Sequence, residues 1–246
     1  RQALTIAWHL FRTLDLMHSK LDKTYIDLKL ENLWWVEKAE QGEQEYGQLK
    51  LTDFGTLDDI RVGSQSAGRG IRRDILLGHI YLCAFVTGRM LKFAVGELNE
   101  PSEPVLRESE VVTWGVRQLL RRGLHRNIQA RPESAAEVAE KLWELDTFWS
   151  KGKQELLKIA DSNLAKAEAS GDPRNQDVKR LSERAMAALA IARAQDSEDP
   201  DELLEKTIQR AEDMLAVADY LERGKQLFHG ASYPLARQTF NEGMDW

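Results

Sequence analysis

The chain holds 246 residues, 42% of them hydrophobic, enough apolar material for one large or two modest domains. Its 34 Lys and Arg stand against 40 Asp and Glu, and the net charge of −6 excludes a generally basic nucleic-acid binder. The single cysteine, Cys83, excludes an internal disulfide and fits a reducing, cytoplasmic setting. No apolar run reaches the ~18 residues that span a bilayer, and the opening RQALTIAWHLFRTLDLMH interleaves charge with apolar positions, unlike a signal peptide. Neither nucleic acid nor a membrane is expected as a partner. The chain opens on Arg1 and not on Met, which suggests a piece cut from something longer.

In chain order, Leu4, Ala7, Leu10, Phe11, Leu14 and Met17 recur on one broad face and predict a core helix from Gln2 to about Ser19. Leu33 to Val36 and Leu49 to Thr52 read as short strands joined by the polar stretch EKAEQGEQEYGQ, an extended hairpin loop. Trp34 and Trp35 are adjacent, so on a strand they point to opposite sides. DILLGHIYLCAFVT, Asp74 to Thr87, is apolar nearly all round and predicts the central buried helix. GRGIRRD, around Gly68 and Gly70, lacks the strand and spacing of a phosphate loop. Arg117, Arg121, Arg122, Arg126 and Arg131 read as the wet side of an amphipathic segment whose apolar side holds Leu119, Leu120 and Leu124. Ser134 with Glu137 forms a capping box that opens another helix. His9, His18, His79, His125 and His229 show no metal-ligand spacing.

After Trp149 no strand pattern remains. Leu157, Ala160, Leu164 and Ala167 make one helical seam, Val178, Leu181, Ala185 and Ala188 a second, and Leu204, Ile208, Ala211, Leu215 and Ala218 a third. Gly171 to Pro173 separate the first two, and Asp199 with Pro200 opens the third. Antiparallel packing is expected, the alanines allowing close approach.

The chemistry sits between the first helix and the second strand. Phosphoryl transfer needs an acceptor for a hydroxyl proton, a cation near the phosphates and oxygen ligands for Mg²⁺. In YIDLKLENLWW and LTDFG, Asp27 has the place of the proton acceptor, Lys29 that of the cation, and Asn32 and Asp53 those of the Mg²⁺ ligands. A strand hairpin would return the chain to the loop it left and bring Asp27, Asn32 and Asp53 together. The plainer reading makes Asp27 and Asn32 a structural pair that ties the loop to its neighbours.

DLKLEN followed by LTDFG after a buried helix resembles the large, C-terminal lobe of eukaryotic-type Ser/Thr protein kinases. The likeness continues through Asp74 to Gly88 and through the Arg-Pro pair of LLRRGLHRNIQARPESAAEVAEKL, so it covers roughly residues 1–148. It implies a mainly α fold with short β-hairpins, catalytic residues Asp27 and Lys29, Asn32 and Asp53 as cofactor and Mg²⁺ positions, and ATP as phosphate donor to protein hydroxyls. Lys29 beside Asp27 is similar to the Ser/Thr class. The family's small N-lobe has no counterpart here: the glycine-rich loop, the strand Lys and the Glu that orients it are absent. These residues alone are therefore expected to be inactive, ATP and Mg²⁺ needing the N-lobe. Tyr25 and Ile26 stand where the family usually has His-Arg, which removes the clamp for a phosphorylated activation loop. Only 21 positions separate Asp53 from Asp74, short for an activation and substrate segment, and no Ala-Pro-Glu occurs there. Arg131, which the resemblance would pair with that Glu, is expected to meet Asp58 or Asp59 or to stay solvated. Gly78 and His79 replace a pair usually reversed in character.

Residues 149–246 read as an α-helical extension, a hairpin or bundle. Roughly the last 25 residues resemble one tetratricopeptide repeat in the placing of Gly224, Leu227, Phe228, Tyr233, Ala236 and Phe240, although such repeats usually stack in threes or more. Two functions stay open. One is a Ser/Thr protein kinase acting on a protein substrate; the other is a pseudokinase scaffold whose helices dock a protein partner.

Overall fold

The computed structural model describes residues 1–25, 27–36, 47–60, 65–91, 112–170, 175–195, 201–229 and 232–244. The fold is mainly α with a few short antiparallel strands, in two compact units: residues 1–112 with 116–147, and residues 148–246 with 113–115.

In the first unit, helix α1 (Gln2–Lys20) buries the predicted Leu4, Ala7, Leu10, Phe11, Leu14 and Met17, while Arg12 and Asp15 pair on the wet side at 3.1 Å. Asp22 then takes φ 51, and the chain turns into β1 (Lys23–Thr24). β2 (Leu33–Val36) and β3 (Gln48–Leu51) pair antiparallel with Leu33 opposite Leu51. The hairpin is the predicted one, with its second strand ending one residue earlier; residues 37–46 of the expected loop lie outside the described residues. On β2 Trp34 is 61% exposed, whereas Trp35 is half-buried and meets the His9 ring at 6.1 Å. β4 (Asp58–Asp59) pairs with β1, Lys23 opposite Asp59.

Helix α2 (Gln65–Thr87) begins nine residues before the predicted Asp74. Gly68 and Gly70, of the stretch that lacked the marks of a phosphate loop, lie inside it. A Cβ on Gly70 would stand 2.9 Å from Thr24 Cγ2, so glycine there lets α2 approach β1. From Asp74 onward the helix buries Ile75, Ile80, Tyr81, Leu82 and Cys83, as an apolar run demands. Gly78 meets Phe11 of α1, where a Cβ would sit 2.7 Å from the ring. His79 is fully buried, edge-on to Phe11 at 4.9 Å, and Nδ1 hydrogen-bonds the Ile75 carbonyl at 2.7 Å. The Gly-His order thus has a packing reason: the small residue admits the phenyl ring and the large one fills the space beside it.

Helix α3 (Trp114–Gly123) ends on Gly123, whose Cβ would fall 2.0 Å from His79 Cδ2. Helix α4 (Ala135–Trp149) opens as predicted, Glu137 N–H donating to Ser134 Oγ at 3.2 Å. The Glu137 carboxylate reaches back one residue further than a capping box requires, accepting from Glu133 N–H at 3.2 Å, and also pairs with Arg122. Arg1–Asp146 at 3.1 Å and the Trp8 and Trp143 rings at 5.3 Å join α4 to α1.

The second unit is helical throughout its described residues: α5 (Lys153–Ala169), α6 (Gln176–Gln195), α7 (Glu202–His229) and α8 (Tyr233–Met244). Successive helices pack, and α5 also meets α7. The buried seam of α5 is Leu156, Ala160, Leu164 and Ala167, with Leu157 at its edge, one position from the expected register. Arg210 of α7 grips Glu168 of α5 with Nε at 2.6 Å and Nη2 at 2.7 Å, and reaches Asp161 at 3.3 Å. Buried Asn163, Ser182 and Thr207 bond carbonyls four residues back in their own helices. The expected connectors at 171–173 and 199–200 lie outside the described residues, as do the side chains of Gly224, Phe228, Tyr233 and Phe240. Among the described residues no helix is long and apolar enough to cross a membrane.

The burial of His79 generates a pH dependence. Desolvation first, opposed by the Ile75 bond and aided by the charges of Arg122 and Arg131, lowers its pKa from 6.5 to about 4. The unfolded chain therefore takes up the proton first on acidification, so stability present above pH 6.5 is lost down to about 4, by roughly 3 kcal/mol. Urea midpoints over that range should fall in the native chain and fall less in His79→Gln. Gly123→Ala, by driving a methyl into the imidazole, should cost about 1–3 kcal/mol at neutral pH in the same measurement.

Candidate functional site

Three fixed points hold the loop that carries Asp27 and Lys29. Buried Asp74, at the head of the apolar part of α2, accepts a hydrogen bond from Tyr25 N–H at 2.7 Å through Oδ2. The same oxygen meets His18 Nε2 of α1 at 2.9 Å. About two helical turns later, Tyr81 O–H donates to the Leu28 carbonyl at 2.9 Å. Asn32, itself buried, donates from Nδ2 to the Asp27 carbonyl at 3.4 Å. Tyr25 and Leu28 point inward and are buried, while Asp27 and Lys29, the neighbours of Leu28, project outward. Their side chains are 44% and 43% exposed and pair with each other, Nζ to Oδ2 at 2.7 Å.

The β2–β3 ribbon delivers the remaining residues. Beyond the Leu33–Leu51 pair, Thr52 N–H donates to the Asn32 carbonyl at 3.0 Å, and the ribbon end therefore sets Asp53 beside the loop. The Tyr25 hydroxyl donates to the Thr52 carbonyl and lies 3.2 Å from the Asp53 carbonyl. Asp53 is left-handed, φ 62 and ψ 66, a conformation that costs a non-glycine residue about 1 kcal/mol or more. Aspartate tolerates it better than most, and the turn throws Phe54 back onto the Tyr25 ring, edge-on at 6.1 Å. All four predicted residues, Asp27, Lys29, Asn32 and Asp53, thus gather at one end of the ribbon. Ile26 lies outside the described residues.

The charges register one another. The Lys29 ammonium is held above its usual pKa by the hydrogen bond and charge of Asp27, with Asp53 and Glu31 adding to it. Burial pushes the Tyr25 phenol up, against the Asn32 hydrogen bond, and the Asp53 and Asp27 carboxylates push it the same way. Asn32 and Asp53 offer hard oxygen donors of the kind Mg²⁺ prefers. Among the described residues no group of three or more His, Cys, Asp or Glu could hold a metal ion. Two protein ligands fit an ion that takes its other oxygens from phosphate and water.

Arg131 departs from expectation. It is neither solvated nor paired with Asp58 or Asp59; it is buried, with Nε donating to the His125 carbonyl at 2.8 Å, and Asp59 pairs with Lys23. Tyr25, Asp74, Tyr81 and His18 were not singled out from the sequence as parts of the site. Their signal was there in one case: an aspartate opening an otherwise apolar helix must find donors once buried.

Neither a protein-family model nor a curated protein matches the chain.

Because Asp74 is a buried acceptor for two elements, its loss should strand Tyr25 N–H and His18. Asp74→Ala is expected to cost about 3–5 kcal/mol in urea unfolding, and Asp74→Asn clearly less, since the amide retains an acceptor.

Proposed function

We propose that residues 1–148 are the large lobe of a Ser/Thr protein kinase, and that the glycine-rich and lysine-bearing parts of its ATP site are supplied from outside these 246 residues. The observation that carries this reading is the outward-facing Asp27–Lys29 pair on a pinned loop, at the ribbon end that also holds Asn32 and Asp53. Bound Mg²⁺–ATP would supply the transferable phosphoryl group. In this reading Asp27 orients a Ser or Thr hydroxyl and accepts its proton, while Lys29 moves from the carboxylate to the transferring phosphate and offsets its charge. Asn32 and Asp53 would hold the ion through oxygen donors. Tyr25 sets the separation between these groups, because its backbone fixes the loop and its hydroxyl fixes Asp53.

A scaffold without transfer activity is favoured by a different observation: only 21 steps lead from Asp53 to Asp74, little chain for a substrate platform. In both readings the helices of residues 149–246 dock a protein, and the setting is cytoplasmic.

Radiolabel transfer from ATP separates the two, measured on the longest protein expressed from the gene. Asp27→Asn and Asp53→Ala are each expected to reduce label by about 10²-fold or more. Equal label in all three proteins would sink the enzyme reading. A melting temperature unmoved by Mg²⁺–ATP in that same protein would favour the scaffold.

A further inference from the structure

We propose that Arg72 and Arg131 form an anion site for a phosphoryl group, distinct from the Asp27 site and independent of the kinase reading. Arg131 is only 4% exposed, and its Nε is committed to the His125 carbonyl. Arg72 reaches across from α2, its side chain 14% exposed, and donates from Nη1 to the Ile128 carbonyl at 2.5 Å. Both carbonyls belong to one short turn, 125–131, whose 3₁₀ segment is capped by Asn127 accepting from Gln129 N–H at 2.9 Å. Two guanidiniums from separate elements are thus fixed against the same backbone.

Among the described residues their charges are poorly compensated. Burial, and then the neighbouring Arg72 charge, lower the Arg131 pKa, which is the mark of like charges brought together in a dry place. Arg72 has Glu133 3.9 Å away, a carboxylate 84% exposed to water. Among the described residues no acid pairs with Arg131. A guanidinium carries five N–H donors, and Arg131 commits one of them to the turn. Burying such a pair without a counter-charge is costly unless an anion enters. Two fixed forks match the several oxygens and double charge of a phosphoryl group better than a single carboxylate.

Such a group can be free phosphate or a phosphorylated side chain of a partner. The test is a melting-temperature titration of the full chain with inorganic phosphate at constant ionic strength, beside a phosphoserine peptide and its unphosphorylated twin. A shift with phosphate, weakened at least ten-fold in apparent affinity by Arg72→Gln and by Arg131→Met, is expected. A shift with the phosphopeptide as well identifies a partner protein as the source; one confined to inorganic phosphate identifies the free ion. In phosphate-free buffer Arg131→Met should melt at or above the native temperature, since it removes an uncompensated charge. A steep drop there would mean that an acid of the chain already neutralises Arg131. That result, or no phosphate shift, or a shift undiminished in both variants, overturns the proposal.

Discussion

A single buried carboxylate organises the first unit. Asp74 sits with no exposure at the point where α2 turns wholly apolar, and a carboxylate cannot stay there without donors. It takes one from the backbone of Tyr25 and meets the ring of His18, and so binds the end of α1 and the start of the loop to the central helix. The places of Asp27 and Lys29 depend on this: Leu28 is caught downstream by Tyr81, and Asp27 and Lys29 on either side of it protrude because Tyr25 and Leu28 are held. The glycines of α2 serve the same end at other points, Gly70 admitting β1 and Gly78 admitting Phe11.

What was legible in the sequence had a period or a local spacing. The α1 face, the β2–β3 hairpin, the Ser134 cap and the helical seams after Trp149 all repeat within a few residues, and their physics is local. The four site residues were legible for the same reason: a hairpin that begins just after Asn32 and ends just before Asp53 must return the chain to its starting point. Where contact is non-local, the sequence was mute or misleading. The first nine residues of α2 carry no such period, and what makes room for the helix there, the close approach of Gly70 to Thr24, joins positions more than forty apart in the chain. Strands of two residues, as in β1 and β4, carry no period at all. Arg131 looked like surface because its helical spacing said so, yet the turn at 125–131 folds it inward. In α5 the adjacent Leu156 and Leu157 offered two registers, and periodicity alone did not choose between them.

The two units use different means. The first relies on shape, with glycines opposite rings and one ion-dipole knot at its centre. The second has small residues along its seams and places its charges on the outside, where Arg210 spans two acids of α5 and Lys179 two of α7. Exposed ion pairs contribute little each. Their value lies in fixing which helix faces lie opposite each other when alanine seams, being smooth, would permit sliding.

Tyr25 is fastened at both ends, its amide to the helix that runs through the core and its phenol to the strained turn at Asp53. One aromatic side chain thus spans the gap between the central helix and the ribbon end, so the place of the Asp53 turn is referred to α2 through a single residue and not through the β2–β3 ribbon alone. Phe54, edge-on to the same ring, takes its orientation from that turn.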